Sequence, residues 1–452
     1  MRITWIQPED LLRHEFVQAR DEGKDVTGVL GRWVAAGGDP NPPVGGASDP
    51  PASPDLAGLA RDLLVEIDAL PPARDDDEPS DLDAIRRLWQ PSPRLPPVPS
   101  PAALRDRLHG AWLGRAVGCL LGKPVEKIPR EGIREILESS GRWPLAAYFT
   151  AAGLPPDVAE RWPWNRASRP TSLAEVIDGM PEDDDLNYTL LALSVLETHG
   201  IGFATDDVAQ AWLRDLPALR VFTAERAAYR NLLNGLQPPA TATTANPYRE
   251  WIGAQIRTDL YGWARPGDPH GAAELAWRDA RLSHTRNGMY GAMFVAGMAA
   301  AALVASDTDV VLDAGLSVIP PRSGLAVEIQ AARDLATSSP DFETALDRLY
   351  ERHAGRHWVH SINNTALTAL ALSAGGGDFV QAICHVVSGG WDTDSNGATV
   401  GAVSGAMTGA ARLPEAWVAP LKNRLATNIP GFDGVGFDEL AARTAFVVSG
   451  AT

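Results

Sequence analysis

The stretch Gly389-Gly390-Trp391-Asp392-Thr393-Asp394-Ser395-Asn396-Gly397-Ala398 sets two carboxylates one residue apart among hydroxyl and amide side chains. On an extended backbone Asp392 and Asp394 point the same way. Ser395 or Asn396 can then cap a helix running through Ala398, Val400, Ala402, Val403, Ala406 and Met407. That helix is almost all Gly, Ala, Ser, Thr and Val, so its neighbours can pack very close. Acids at its mouth lie near the positive end of the helix dipole and offer oxygen ligands to a hard cation. Taken alone, Asp-x-Asp is more often an ordinary loop with solvated acids.

A second acidic cluster is Pro181-Glu182-Asp183-Asp184-Asp185, directly ahead of an apolar helical stripe at Leu186, Leu190, Leu193 and Leu196. One or two acids in a first helical turn are explained by the dipole, at ~0.3–1 kcal/mol each. Four in a row repel one another unless a cation neutralises them. Earlier in the chain Gly110, Gly114, Gly118 and Gly122 recur every four residues and give one helix a backbone-thin face. Close helix packing accounts for most of them. Glu126, just beyond Pro124 at the exit of that helix, is the acid placed to reach a site.

Together these stretches resemble the ADP-ribosylglycohydrolase family: a Gly-rich helix ending Gly-x-Pro-x-Glu, an Asp-Asp pair opening a helix, and a late Gly-Gly-x-Asp-x-Asp-Ser. Arg281-Leu282-Ser283-His284-Thr285-Arg286-Asn287-Gly288 before an Ala-rich helix, and Leu413-Pro414-Glu415-Ala416-Trp417, match further family features. The resemblance runs in order from about Ala102 to Thr427. It implies an all-α, orthogonal multi-helix bundle that binds two Mg²⁺ ions, with Mn²⁺ able to substitute, between its acidic motifs. By position it implies metal ligands at Glu182, Asp183, Asp184, Asp392, Asp394 and Ser395, with Asp394 bridging and Glu126 over the second ion. Asp183 and Glu126 are the candidate general bases. Trp391, His284, Asn287, Gly118 and Asn364 are candidates for substrate contact. Trp391 is equally suited to core packing, His284 to a satisfied structural role, and Asn363 and Asn364 to capping their helix.

Two departures stand out. The family's usual Gly-Asp in the first helix is Gly118-Cys119 here. Its glycine-rich adenosine-phosphate loop is replaced by Gly253-Ala254-Gln255-Ile256-Arg257-Thr258-Asp259-Leu260-Tyr261-Gly262, which is expected to contact whatever lies beyond the reacting ribose.

The elements that carry these residues follow a helical rhythm from Ala102 onward, with little period-two alternation. Ahead of them, residues 1–100 read as a helical extension docked on the main body, and residues 101–452 as the family-like domain. Its apolar stripes are Leu11–Ala19, Val26–Val34 and Leu56–Leu70. A Pro/Gly/Ala/Ser-rich linker at 39–54, an acidic run at 75–78 and a Pro-rich segment at 91–101 separate them. The chain has 452 residues, more than one core usually serves. A net charge of -17 argues against nucleic acid as partner, though a bound metal can invert the local field. Gly288 to Ser306 is uncharged and about long enough to span a bilayer, but its Gly/Ala content favours a buried helix and no membrane partner. Two cysteines in apolar surroundings and a start without an apolar leader segment lead to the expectation of a reducing, cytoplasmic setting.

Three function classes fit these residues. One is a binuclear-magnesium glycosidase releasing an ADP-ribosyl or related ribosyl group from a protein or small-molecule acceptor. Another is a metal-dependent ADP-ribose-binding module without turnover. The third is a glycosidase acting on a different nucleoside. Intact acids at Asp183, Asp184, Asp392 and Asp394 favour turnover.

Overall fold

In the computed structural model, residues 2–43, 45–71 and 76–450 are described; Asp75 of the acidic run lies outside them. Those residues build an all-α fold. Among them strand-like pairing is confined to isolated bridges: Met180 with Leu425, Trp251 with His360 and Leu425 with Val435.

Two buried helices form the axis. Ser100 caps the first, Pro101–Gly122, and its hydroxyl accepts from Ala103 N. The second is Thr393–Thr408. They cross antiparallel, glycine against glycine. A Cβ built on Gly118 would fall deep inside the van der Waals shell of the Gly397 carbonyl; Gly114 faces Gly401 in the same way and Gly110 faces Gly405. Every-fourth-residue spacing therefore removes side chains from the contact and lets the two backbones touch. At the far end Gly122 meets Thr393 and the Asp394 amide, and Thr393 Oγ1 donates to Gly122 O at 2.8 Å. The exit of one helix and the entry of the other thus share one end of the crossing.

The helix Arg286–Ala302 lies wholly buried beside this pair, and it holds most of the Gly288–Ser306 stretch. No helix among the described residues is long and apolar enough to cross a membrane. Ser361–Gly375 and Asp184–His199 complete the set that delivers polar residues to one end. Cys119 and Cys384 are buried free thiols.

The extension folds as Pro8–Asp21, Thr27–Ala35, Pro54–Asp68 and a short turn, Leu82–Arg86. It docks through buried charge. Arg249 of the body donates to Glu15 at 2.8 and 2.9 Å and to Glu22 at 2.6 Å, and Gln18 donates to Glu250 at 2.7 Å. Glu78 accepts from Gly324 N at 2.7 Å and pairs with Arg286.

Candidate metal and glycosidic site

The late acidic turn differs from its sequence expectation in one respect. The helix starts at Thr393, so Asp392 takes the N-cap position, and Ser395 and Asn396 lie inside the first turn. Asp394 is helical rather than extended, yet both acids still reach one place, because a cap and the residue two further on flank the same helix mouth. Asp392 makes no side-chain capping bond, which leaves its carboxylate uncommitted to its own helix. Asn364 fixes the turn instead. Its Oδ1 accepts from Asp392 N at 3.2 Å and from Asn396 Nδ2 at 2.6 Å, while its Nδ2 donates to the carbonyls of Trp358 at 2.7 Å and His360 at 2.9 Å. Like Asn363, it sits within the first turn of Ser361–Gly375, where His360 is the cap.

Before this turn, Trp391 holds a left-handed backbone at φ 56°, unfavourable for a bulky residue. Its ring stacks on Tyr350 at 4.4 Å between centroids, and the Tyr350 hydroxyl donates to Gly389 O at 2.7 Å. Such strain survives only where surrounding contacts over-determine it, and it concentrates at functional sites.

The earlier acidic turn is capped by Asp183, whose Oδ1 accepts from Asp185 N at 2.9 Å. The other oxygen pairs with the buried ammonium of Lys123, which also donates to Glu182 O at 3.3 Å. Glu182 itself turns elsewhere: it accepts from Asn187 at 2.8 Å and Asn428 at 2.6 Å and lies 3.1 Å from Arg220. Asp185, by contrast, is 2 % exposed, and its Oδ1 has no hydrogen-bond partner. Beneath it Arg115, fully buried, donates to Asp185 O at 3.0 and 2.7 Å and to Asp259 at 2.6 Å, tying the start of the acidic helix to the glycine helix. Cys119 Sγ lies 3.9 Å from Asp185 Oδ2, and Cys119, Asp183 and Asp185 can bring one ligand atom each within 4.8 Å of one another.

Glu126 follows a short 3₁₀ turn, Lys123–Val125, and is half-buried. Asn165 Nδ2 donates to its Oε2 at 2.6 Å, and Lys127 lies 3.2 Å from its Oε1.

The electrostatics couple all three segments. Burial, then the fields of Asp183, Asp394 and Glu126, push Asp184 far above the carboxylate range. Burial and the neighbouring Asp183 and Asp394 do the same to Asp185, and burial with Asp394, Glu126 and Asp185 does so to Asp392. Asp394 is raised to about 7 by burial first and then by Glu126 and Asp183. Asp183 alone goes the other way: burial opposes its ionisation, but the Lys123 ammonium outweighs it and holds the carboxyl below its usual range. A buried, mutually repelling carboxylate set, in which Asp185 Oδ1 lacks a hydrogen bond and has the Arg115 guanidinium 3.8 Å away, fits hard divalent cations, which take oxygen ligands.

Other residues fall outside this cluster. His284 is fully buried, its Nδ1 2.8 Å from Ser283 Oγ, and the nearby Arg257 guanidinium adds to burial in keeping the ring neutral. Asn287 donates to Glu250 at 2.7 Å and to Glu78 at 3.1 Å, so it bridges extension and body. Gly118 lies in the helix crossing. The segment expected to meet the distal ligand, now Ile252–Arg257 and Asp259–Trp263, is buried in the core. Its Arg257 donates to Glu225 at 2.6 Å and Ser283 at 2.9 Å, pairs with Asp279, and lies over the Trp212 ring.

Asp185, Lys123, Arg115 and Asn165 join the site without having been singled out in sequence. For Asp185 a signal existed, since the second residue of a helix shares the mouth with its cap. For Asn165, 39 residues from Glu126 along the chain, none did.

A family model described as ADP-ribosylglycohydrolase matches residues 100–446. An uncharacterized protein of Archaeoglobus fulgidus is 25% identical over 328 residues, covering 71% of this chain and 93% of that protein. A solved structure, an ADP-ribosylglycohydrolase-related protein complex, superposes with a TM-score of 0.46 at 21% identity, over 77% of this chain and 99% of that one.

Proposed function

The chain belongs to the ADP-ribosylglycohydrolase family, and on that premise we propose that it is a metal-dependent glycosidase hydrolysing the bond between a ribosyl group, ADP-ribosyl first, and a protein or small-molecule acceptor. The observation that carries this reading is the meeting of Asp183–Asp185, Asp392–Asp394 and Glu126 at one end of the glycine crossing. Mg²⁺, with Mn²⁺ as substitute, is the cofactor the oxygen-rich set suits, as a pair of ions held by Asp184, Asp185, Asp392 and Asp394 with Ser395 and Glu126 beside them. When bound, such ions hold a ribose diol and lower the pKa of a coordinated water.

The chain's own residues supply the rest. Breaking a glycosidic bond passes through an oxocarbenium-like state, and the clustered carboxylates stabilise its positive charge. Of the two base candidates, Asp183 has both oxygens committed, to Lys123 and to the Asp185 amide. Glu126 also has a partner on each oxygen, Asn165 and Lys127, but it is only half-buried and its cation is an exposed lysine, so it is the base we assign. Trp391, braced on Tyr350 and met edge-to-face by His353, is half-buried and supplies an aromatic surface for a ribose or base. Residues 1–100 act as a docked brace, and the setting is cytoplasmic with neither nucleic acid nor membrane as partner.

One observation supports a second substrate. The Ile252–Trp263 stretch is spent on the core, which favours a riboside lacking the ADP half. The deciding experiment is release of ADP-ribose from Arg-, Ser- and acetyl-linked substrates with Mg²⁺, beside a nucleoside panel. Release that falls at least ~100-fold in Glu126→Gln, with product binding kept, supports the assignment, because that pattern marks lost transition-state stabilisation. Hydrolysis of a nucleoside alone moves the substrate and keeps the chemistry. No hydrolysis with tight ADP-ribose binding leaves a binding module.

A further inference from the structure

The two cation positions of a paired-ion site need not be equivalent, and here one buried side chain makes them differ. Six carboxylates face the site: Asp183, Asp184, Asp185, Asp392, Asp394 and Glu126. Three cations lie close. Arg115 sits behind the acidic helix, committed to Asp259 and to backbone carbonyls. Lys127 is exposed, with its ammonium 5.7 Å from the Trp358 ring and 3.2 Å from Glu126. Lys123 alone is inside, 6 % exposed, pressed against Asp183 and the Glu182 carbonyl.

Its placement is fixed by the main chain. Lys123 follows Gly122 directly, and Gly122 is pinned against Thr393 and the Asp394 amide. The ammonium therefore cannot retreat by moving its backbone, and it already occupies ground that a cation on the Asp183 side would need. A divalent ion held there by Asp184 and Asp185 must sit beside the like charge that Asp183 already holds, in a medium that screens poorly. The Lys123 field also reaches Asp394, and the exposed Lys127 acts on Asp392 and Asp394, but among the described residues neither of these two carboxylates is paired directly with an ammonium, as Asp183 is.

Resting on the metal-centre reading above, we infer that Lys123 makes the site load in two unequal steps: one divalent ion binds readily on the Asp392–Asp394 side, and a second binds weakly on the Asp183 side, only as Lys123 gives way. The chain would then hold one ion at low divalent concentration and two at high, so that metal supply sets its state.

The test is Mn²⁺ titration of the full chain, followed by calorimetry and by electron paramagnetic resonance, which distinguishes free, isolated and paired Mn²⁺ without any turnover. Wild type is expected to take up one ion, then a second at least tenfold more weakly, with the paired-ion signal arising only in the second step. Lys123→Met removes the charge and keeps most of the volume; its second step is expected to tighten at least tenfold. Lys123→Arg, which keeps the charge, is expected to retain two separated steps. Two ions of equal affinity in wild type would overturn the inference, as would unequal steps unchanged in Lys123→Met; both leave the metal centre standing. Should Lys123→Met fail to fold, Lys123→Gln removes the same charge, and a second step that fails to tighten in it overturns the inference in the same way. No Mn²⁺ uptake by wild type would remove the metal centre itself, and the inference with it.

Discussion

Asp394 and Asp183 are both buried carboxylates with opposite net results, because the Lys123 ammonium pairs directly with Asp183 and reaches Asp394 only as a weaker field that burial, Glu126 and Asp183 outweigh. Asp394, raised to about 7, binds its proton more tightly folded than unfolded, where its pKa is near 3.8. As pH rises from about 4 to about 7 the unfolded chain gives up that proton first, so metal-free stability falls across this window and levels above it. Asp183, held below its usual range, works the other way and loses its stabilising effect as pH falls. We expect Asp394→Asn to flatten the loss between pH 4 and 7, read from denaturant midpoints with chelator present. Because protons compete with metal for these oxygens, the rise in Tm caused by Mg²⁺ is expected to be larger at pH 8 than at pH 6, and absent in Asp394→Ala. Asp184→Asn removes repulsion and is expected to be at least as stable as wild type without metal. Asp183→Ala strands the Lys123 ammonium and is expected to cost about 3–5 kcal/mol; thermal melts of the two variants in chelator separate these outcomes. Asp183, Asp184, Asp392, Asp394 and Glu126 were all legible from residue type and spacing. Lys123 was not, since a lysine between Gly and Pro looks like a surface residue until its helix is seen to end inside the protein.

At the scale of the helix, the four-residue glycine repeat predicted close packing, and the observed partner is a second glycine series, Gly397, Gly401 and Gly405. Sequence alone showed the first series and a second helix of small residues without pairing them, because periodicity marks a face and not what it meets. The start of the second helix was also misplaced by three to four residues: Asp392, not Ser395 or Asn396, takes the cap position without a side-chain capping bond, while Asn364, from a distant helix, claims Asn396. Gly401→Ala puts a methyl group into the Gly114 carbonyl and is expected to cost at least ~3 kcal/mol or prevent folding. Gly58→Ala, in an extension helix with nothing within 4 Å, is expected to gain about 0.5–1 kcal/mol. Urea unfolding of the two variants side by side checks both.

For the whole molecule, the extension is joined to the body by ion pairs rather than by grease alone. Glu15 is fully buried and Arg249 is 4 % exposed, so each depends on the other for its charge. Arg249→Met is expected to lose about 3–5 kcal/mol by leaving Glu15 and Glu22 unpaired, with protease cleavage within residues 39–54 appearing before the body unfolds. The docking itself was foreseeable from three apolar stripes too small to form a core. Its route through Asn287, Glu250 and Glu78 was not: the motif match marked Asn287 only for substrate contact, and its amide is bonded to one acid of the extension and one of the body.

The glycine crossing has a thermal consequence. A contact between two bare backbones has no rotamers to melt, so its spacing is set by peptide geometry and not by side-chain mobility. Glu126 at the end of one helix and Asp392 at the start of the other are then the two jaws of a caliper whose gap stays nearly constant as the protein warms. Activity would fail on heating only when the entire pair of helices separates, as a sharp break in the Arrhenius plot coincident with unfolding rather than a gradual decline before it.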